Sequence, residues 1–105
     1  MLYLTRRTGE AVMIGDNIRV TTVEIRRNRV DIRVATNSPS TDAVLTVTLV
    51  PGKPVYVQSY AIVLRSTSRG QAKLGFKAPR NIPVHREEIY NRIAEAGHAD
   101  TKAAG

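Results

Sequence analysis

Few side chains in this chain are of a type that does covalent or acid–base chemistry. Two histidines, His85 and His98, and the adjacent carboxylates Glu87 and Glu88 are the candidates. No serine, cysteine or carboxylate constellation is placed to use His85 in proton transfer. The absence of cysteine removes a disulfide frame, a thiol nucleophile and a thiolate metal site, and two histidines alone do not build a catalytic zinc centre. Gly9-Glu10 and Gly15-Asp16 read as turn residues, because no Gly-rich strand-to-helix junction surrounds them to cradle a phosphate. Nothing in these residues calls for a cofactor or a metal, and no enzyme is expected. What remains is charge: 16 Lys and Arg against 9 Asp and Glu, a net +7 and a pI near 10.4. Such a field favours phosphate backbones or anionic membranes. The plainer alternative is a solvated basic surface without a partner.

Apolar and polar residues alternate along most of the chain, the signature of half-buried strands. Leu2, Leu4 and Arg6 share one face of the first run, with Tyr3, Thr5 and Arg7 on the other. Val12 and Ile14 continue after Gly9. Ile18, Val20, Val23 and Ile25 break phase once, which predicts a bulge near Thr21-Thr22. Arg26-Arg27-Asn28 reads as a hairpin turn before Val30, Ile32 and Val34. Its arginines are either a solvated tip or a peripheral attraction for a phosphate backbone. Asn37 to Asp42 is a loop, and further strands are expected at Val44–Val50, Val55–Val57, Ile62–Leu64, Ala72–Phe76 and Ile82–Val84. Helical spacing occurs at Ile89, Ile93 and Ala96, with Glu87 and Glu88 in the first turn complementing the helix dipole. Residues 97–105 read as a frayed tail. The expected class is all-β with one C-terminal helix. No apolar run reaches the roughly 20 residues of a membrane span and no signal-peptide core opens the chain, so a cytoplasmic protein with no membrane association is expected.

Sliding the sequence over itself by 42 or 43 positions aligns its halves. Leu2, Thr5, Gly9, Val12 and Ile14 fall on Leu45, Thr48, Gly52, Val55 and Val57. Val20, Val30, Ile32 and Val34 fall on Ile62, Ala72, Leu74 and Phe76, and the turn Arg27-Asn28 falls on Arg69-Gly70. The alternative to a duplication is an unrelated insertion into one loop. A unit of roughly 60 residues buries too little surface to stand comfortably alone, so half of this chain needs a partner.

The opening Met1-Leu-Tyr-Leu-Thr-Arg-Arg7, with Gly9-Glu10 and Ile14-Gly15-Asp16, and the later Lys77-Ala-Pro79 with Val84-His-Arg-Glu-Glu-Ile-Tyr90 resemble the two ends of the carbon storage regulator family (CsrA/RsmA). These are small bacterial proteins that bind messenger RNA. The resemblance covers residues 1–34 and 70–93 without a gap. It implies an intertwined dimer of antiparallel sheets, in which the first and fifth strands of one protomer join the central strands of the other. This chain looks like such a dimer fused and trimmed into one particle. Copy one, residues 1–36, keeps four strands; residues 37–42 link; copy two, residues 43–96, keeps five strands and the helix. The six linker residues span at most about 25 Å, so the joined ends must be neighbours. That is met if the first strand of copy two pairs with the fourth of copy one.

The resemblance also implies an RNA site made between copies. Its first-strand contributors by position are Leu4, Thr5, Arg6 and Arg7. Its fifth-strand contributors are Ile82, Val84, His85 and Arg86, with Ala78, Pro79 and Arg80 in the preceding loop. The implied ligand is a GGA element, commonly shown in a hairpin loop of an mRNA leader near a ribosome-binding site or in a small RNA. The implied function is translational regulation, including repression. Arg6, Arg7, Arg80 and Arg86 are expected to contact phosphates. Both arginines of the first strand become apolar in copy two, and copy one has no fifth strand, so one complete site and a monomeric pseudo-dimer are expected. Pro83 must keep its nitrogen away from the ladder. An open edge is expected at Val55-Tyr-Val57, guarded by Lys53 and Pro54 or covered by a partner strand. A second reading is a protein-interaction module on the same scaffold with reduced RNA affinity.

Overall fold

Period-two alternation is satisfied by two sheets that pack their apolar faces together. The computed structural model describes the backbone of residues 1–37 and 42–104, and the side chains of residues 1–36 and 44–95. The described strands are β1 (Leu2–Arg7), β2 (Ala11–Ile14), β3 (Ile18–Arg26), β4 (Arg29–Asn37), β5 (Asp42–Leu49), β6 (Val55–Val57), β7 (Tyr60–Ser68), β8 (Gln71–Lys77) and β9 (Val84–Arg86). One helix, α1 (Glu87–Ala104), follows. Val12, Ile14, Ile18, Val20, Val30, Ile32 and Val34 face Ile62, Leu64, Ala72, Leu74 and Phe76 in a single core. Each of these Val, Leu, Ile and Phe side chains, fully buried, contributes about 1.5–3 kcal/mol.

The strands interlock. One sheet has the order β5-β4-β3-β2-β9 and the other β1-β8-β7-β6, all neighbours antiparallel. β1 therefore leaves its sequence neighbours β2–β4 and pairs with β8, while β5 pairs with β4. The two crossings share one register: Leu4 lies opposite Leu74, and Val47, its counterpart in the repeat, lies opposite Ile32. Both long hairpins carry a bulge at the same place, between Thr22 and Glu24 and between Leu64 and Ser66. The first puts Thr22 inward and leaves Val23 exposed, which accounts for the phase break in the sequence. Gly9 and Gly52 both take a left-handed φ, +87° and +84°, which a side chain would strain. The two hairpin tips meet where the Asn28 N–H donates to Thr67 Oγ1 at 2.9 Å.

Asn37 and Asp42 are partners in the β4–β5 register, so the ends of the two copies are adjacent. Of the expected loop 37–42, residues 38–41 lie outside the described residues. Two expectations need correction. The strand placed at Ile82–Val84 is β9, Val84–Arg86; Pro83 stands before it and joins the sheet only through its carbonyl, which accepts from Gly15 N at 2.8 Å. The helix also runs to Ala104, through the segment read as a frayed tail. No proline interrupts its sequence, and a single interior glycine costs only about 1 kcal/mol.

Candidate nucleic-acid interface

Two strand edges frame the candidate site. β1 pairs with β8 on one side only, and β9 pairs with β2 on one side only. Among the described residues their other edges are open, and the two strands belong to different sheets and to opposite ends of the chain. Val84 lies opposite Ile14, His85 opposite Met13 and Arg86 opposite Val12. Before β9 the chain makes a tight turn, closed by Ile82 N donating to the Pro79 carbonyl at 3.0 Å, which leaves Pro79 and Arg80 exposed. The start of β1, the end of β8 and the start of β9 enclose a cleft of about 360 Å³ lined by Met1, Leu2, Phe76, Lys77, Ala78 and Val84.

Arg6 fastens β1 to the helix. In the strand's alternation it falls on the inward face with Leu2 and Leu4, and it is 3% exposed. Its Nη1 donates to Glu88 Oε1 at 2.8 Å and its Nη2 to Glu88 Oε2 at 3.0 Å, a two-pronged pair. Nη1 also reaches the Ala11 carbonyl at 3.2 Å and Nε the Thr5 carbonyl at 2.9 Å. The Glu88 hydrogen bonds raise the guanidinium pKa against the opposing effect of burial. The same bonds, with one from the backbone, hold the Glu88 carboxyl down to about 2. The first helical turn thus does more than complement its dipole: Glu87 also pairs with Arg19, through Nη2 at 3.1 Å, and Tyr90 donates to Asp16 at 2.9 Å.

The expected site residues divide accordingly. Ala78 and Val84 are gathered with β1 at the cleft. Arg86 and Glu88 meet at 3.9 Å beside Arg6. Arg7, Arg80 and Arg86 are exposed; Leu4 and His85 are half-buried, and Leu4 packs against the core. Thr5 is exposed on the outer face of its sheet, beside Ser66, Gln71 and Lys73. Ile82, with Pro83, faces a separate, larger cleft of about 460 Å³ between the Gly15–Asn17 turn and Tyr60, whose lining contains no Lys or Arg. Arg6 does not share the surface with the other arginines as expected; burial and two carboxylate bonds occupy it. Lys77, Met1 and Leu2 at the cleft and Glu88 as the partner of Arg6 were missed. An arginine in phase with Leu2 and Leu4 was the available signal, since a buried guanidinium requires a carboxylate.

The repeat supplies an internal comparison. The counterpart of Arg6 in β5 is Leu49, 0% exposed, and that of Arg7 is Val50. Copy one has no helix to offer a carboxylate there, and an unpaired buried arginine would be costly. Beside β5, the counterpart of β2 is β6, which pairs with β7 alone. Its free edge at Val55–Val57 is preceded by exposed Lys53 and Pro54.

An interlocked two-sheet β protein, doubled within one chain and basic along the open edges of β1 and β9, has the character of a nucleic-acid-binding protein. The chain belongs to the CsrA global regulator protein family, whose model matches residues 1–45 and 59–95. The split match reflects the family pattern repeated within the chain, and residues 46–58, holding the second half of β5 and all of β6, fall between its parts. No solved structure matches the chain. Members of this family are non-enzymatic, RNA-binding global regulators, and RNA is the partner class that membership implies. No helix among the described residues is long and apolar enough to cross a membrane.

Proposed function

We propose that this chain regulates translation in the cytoplasm by binding a GGA element, in an mRNA leader or a small RNA, at one composite site per monomeric chain. The supporting observation is the internal comparison between the halves. Around the open edges of β1 and β9 stand Arg7, Lys77, Arg80 and Arg86, whereas the position related to Arg7, just after β5, is Val50, and among the described residues no strand pairs with the outer edge of β6. Open strand edges present backbone N–H and C=O groups that can read the Watson–Crick edges of unstacked bases. The arginines supply phosphate contacts and stacking planes. Arg6 takes a positioning role in this reading, since it ties β1 to the helix that follows β9.

A second reading, protein interaction on the same scaffold, draws on the free β6 edge and on Val44, Leu45 and Tyr56, which are 65%, 55% and 72% exposed. Calorimetric titration with a GGA hairpin and with a hairpin whose loop guanines are replaced by cytosines separates the two. Binding of the first RNA alone, one per chain, supports the RNA site. Equal affinity for both RNAs would remove GGA recognition.

A further inference from the structure

We propose that the outer face of the β1-β8-β7-β6 sheet is a track for single-stranded RNA flanking the element held at the composite site. The inference rests on the RNA-binding reading and extends it to a surface that the composite site does not include. Its first support is charge. The four strands of this sheet contain no Asp or Glu, and they carry Arg6, Arg7, Arg65, Lys73 and Lys77. Arg6 is turned inward and neutralised by Glu88; the other four are exposed.

The second support is an aromatic ring set among these cations. Tyr3, opposite Gly75 on β8, is 40% exposed. The Arg65 guanidinium lies 6.0 Å and the Lys73 ammonium 5.8 Å from its centroid. Gly75 makes room for this packing: a Cβ there would come within 2.8 Å of the Tyr3 ring and 2.7 Å of the Met1 sulfur and of Val63. Thr5, Ser66 and Lys73 border a shallow depression next to the ring. A cationic surface with an exposed aromatic side chain is what sequence-tolerant single-strand binding uses, phosphates running past the cations and a base resting on the ring.

The third support is the related sheet. Registers place Thr46 where the first sheet has Tyr3, Asp31 where it has Lys73, Glu24 where it has Ser66 and Ala35 where it has Lys77. On that sheet Arg26 pairs with Glu24 at 3.0 Å and Arg19 with Glu87. The two faces share one register, and only the second carries carboxylates at these positions. The first is the face that shares β1 with the composite site, so a strand of RNA leaving that site over β1 meets it directly.

The test uses the whole chain, fluorescence anisotropy at fixed salt and three RNAs: a blunt GGA hairpin, that hairpin extended by about ten uridines, and oligouridine alone. In the wild type the extension is expected to tighten binding about tenfold. The variant Arg65→Val with Lys73→Asp copies the bulge residue Val23 and Asp31 of the other sheet; Arg65→Ser with Lys73→Ser serves if the first does not fold. Either should abolish the gain while changing affinity for the blunt hairpin by less than about twofold. Arg33→Ser on the other sheet should leave the gain intact. No gain in the wild type, or a gain that survives the double substitution, overturns the proposal. If the blunt hairpin does not bind but oligouridine binds in a way that needs Arg65 and Lys73, the GGA reading fails and the track stands.

Discussion

Glu88→Gln probes the joint between the two copies. The substitution keeps one acceptor oxygen for Arg6 but removes the negative charge and replaces the second acceptor with an amide. Arg6 is 3% exposed, and its next carboxylate is Glu10 at 3.9 Å. Breaking a fully buried pair costs about 3–5 kcal/mol. Half of the Glu88 side chain is in water, however, with 50% exposure, so solvent screening reduces the loss to about 1–2 kcal/mol. Urea denaturation with linear extrapolation resolves that difference. The repeat provides the control: Leu49 occupies the Arg6 position in β5 without any carboxylate. Arg6→Leu combined with Glu88→Gln should therefore recover most of the stability lost by Glu88→Gln alone, with a coupling of about 1 kcal/mol in the double-mutant cycle. A Glu88→Gln protein as stable as the wild type, or strictly additive effects, would refute a structural ion pair at this joint.

Because the Glu88 carboxyl is held at about 2, below its ordinary 4.5, its contribution should be complete above pH 4.5 and fade as pH falls from about 4.5 to about 2. Acid titrations of wild type and Glu88→Gln should converge below that range. Arg86→Ala should weaken a GGA hairpin by about 1–3 kcal/mol, whereas Thr48→Ala, on the related β5, should change it little by calorimetry. Thr22 is 1% exposed and its hydroxyl has no hydrogen-bond partner among the described residues. Thr22→Val should therefore stabilise the chain by about 1 kcal/mol, a rise in melting temperature of about 4–8 °C.

Much of the fold was legible because two alternating sheets leave a simple trace. The phase slip at Val23 marked the bulge, and the repeated glycines at 9 and 52 marked equivalent turns. Pairing partners were not legible from alternation: that β1 belongs with β8 and β5 with β4 came from the family resemblance together with the shortness of the linker. β9 was misplaced because Ile82 and Val84 alternate well, while Pro83 between them cannot donate to a ladder. Arg6 differs in kind: alternation puts it inward with Leu2 and Leu4, where it is 3% exposed, whereas the family resemblance places it by position among the phosphate contacts. Glu88 could not be paired with it from spacing, because the two lie 82 residues apart and meet only after the strands cross.

The central claim, one chain forming a complete particle with one RNA site, is tested most directly by multi-angle light scattering of the chain with excess GGA hairpin, across a dilution series. The account predicts a protein mass of 11.6 kDa at every concentration, with one hairpin bound. It also predicts that an RNA carrying two hairpins gains only the statistical factor of about two, not the roughly 10²–10⁴-fold that linked sites give. An obligate dimer, or a single chain holding two hairpins at once, would contradict it.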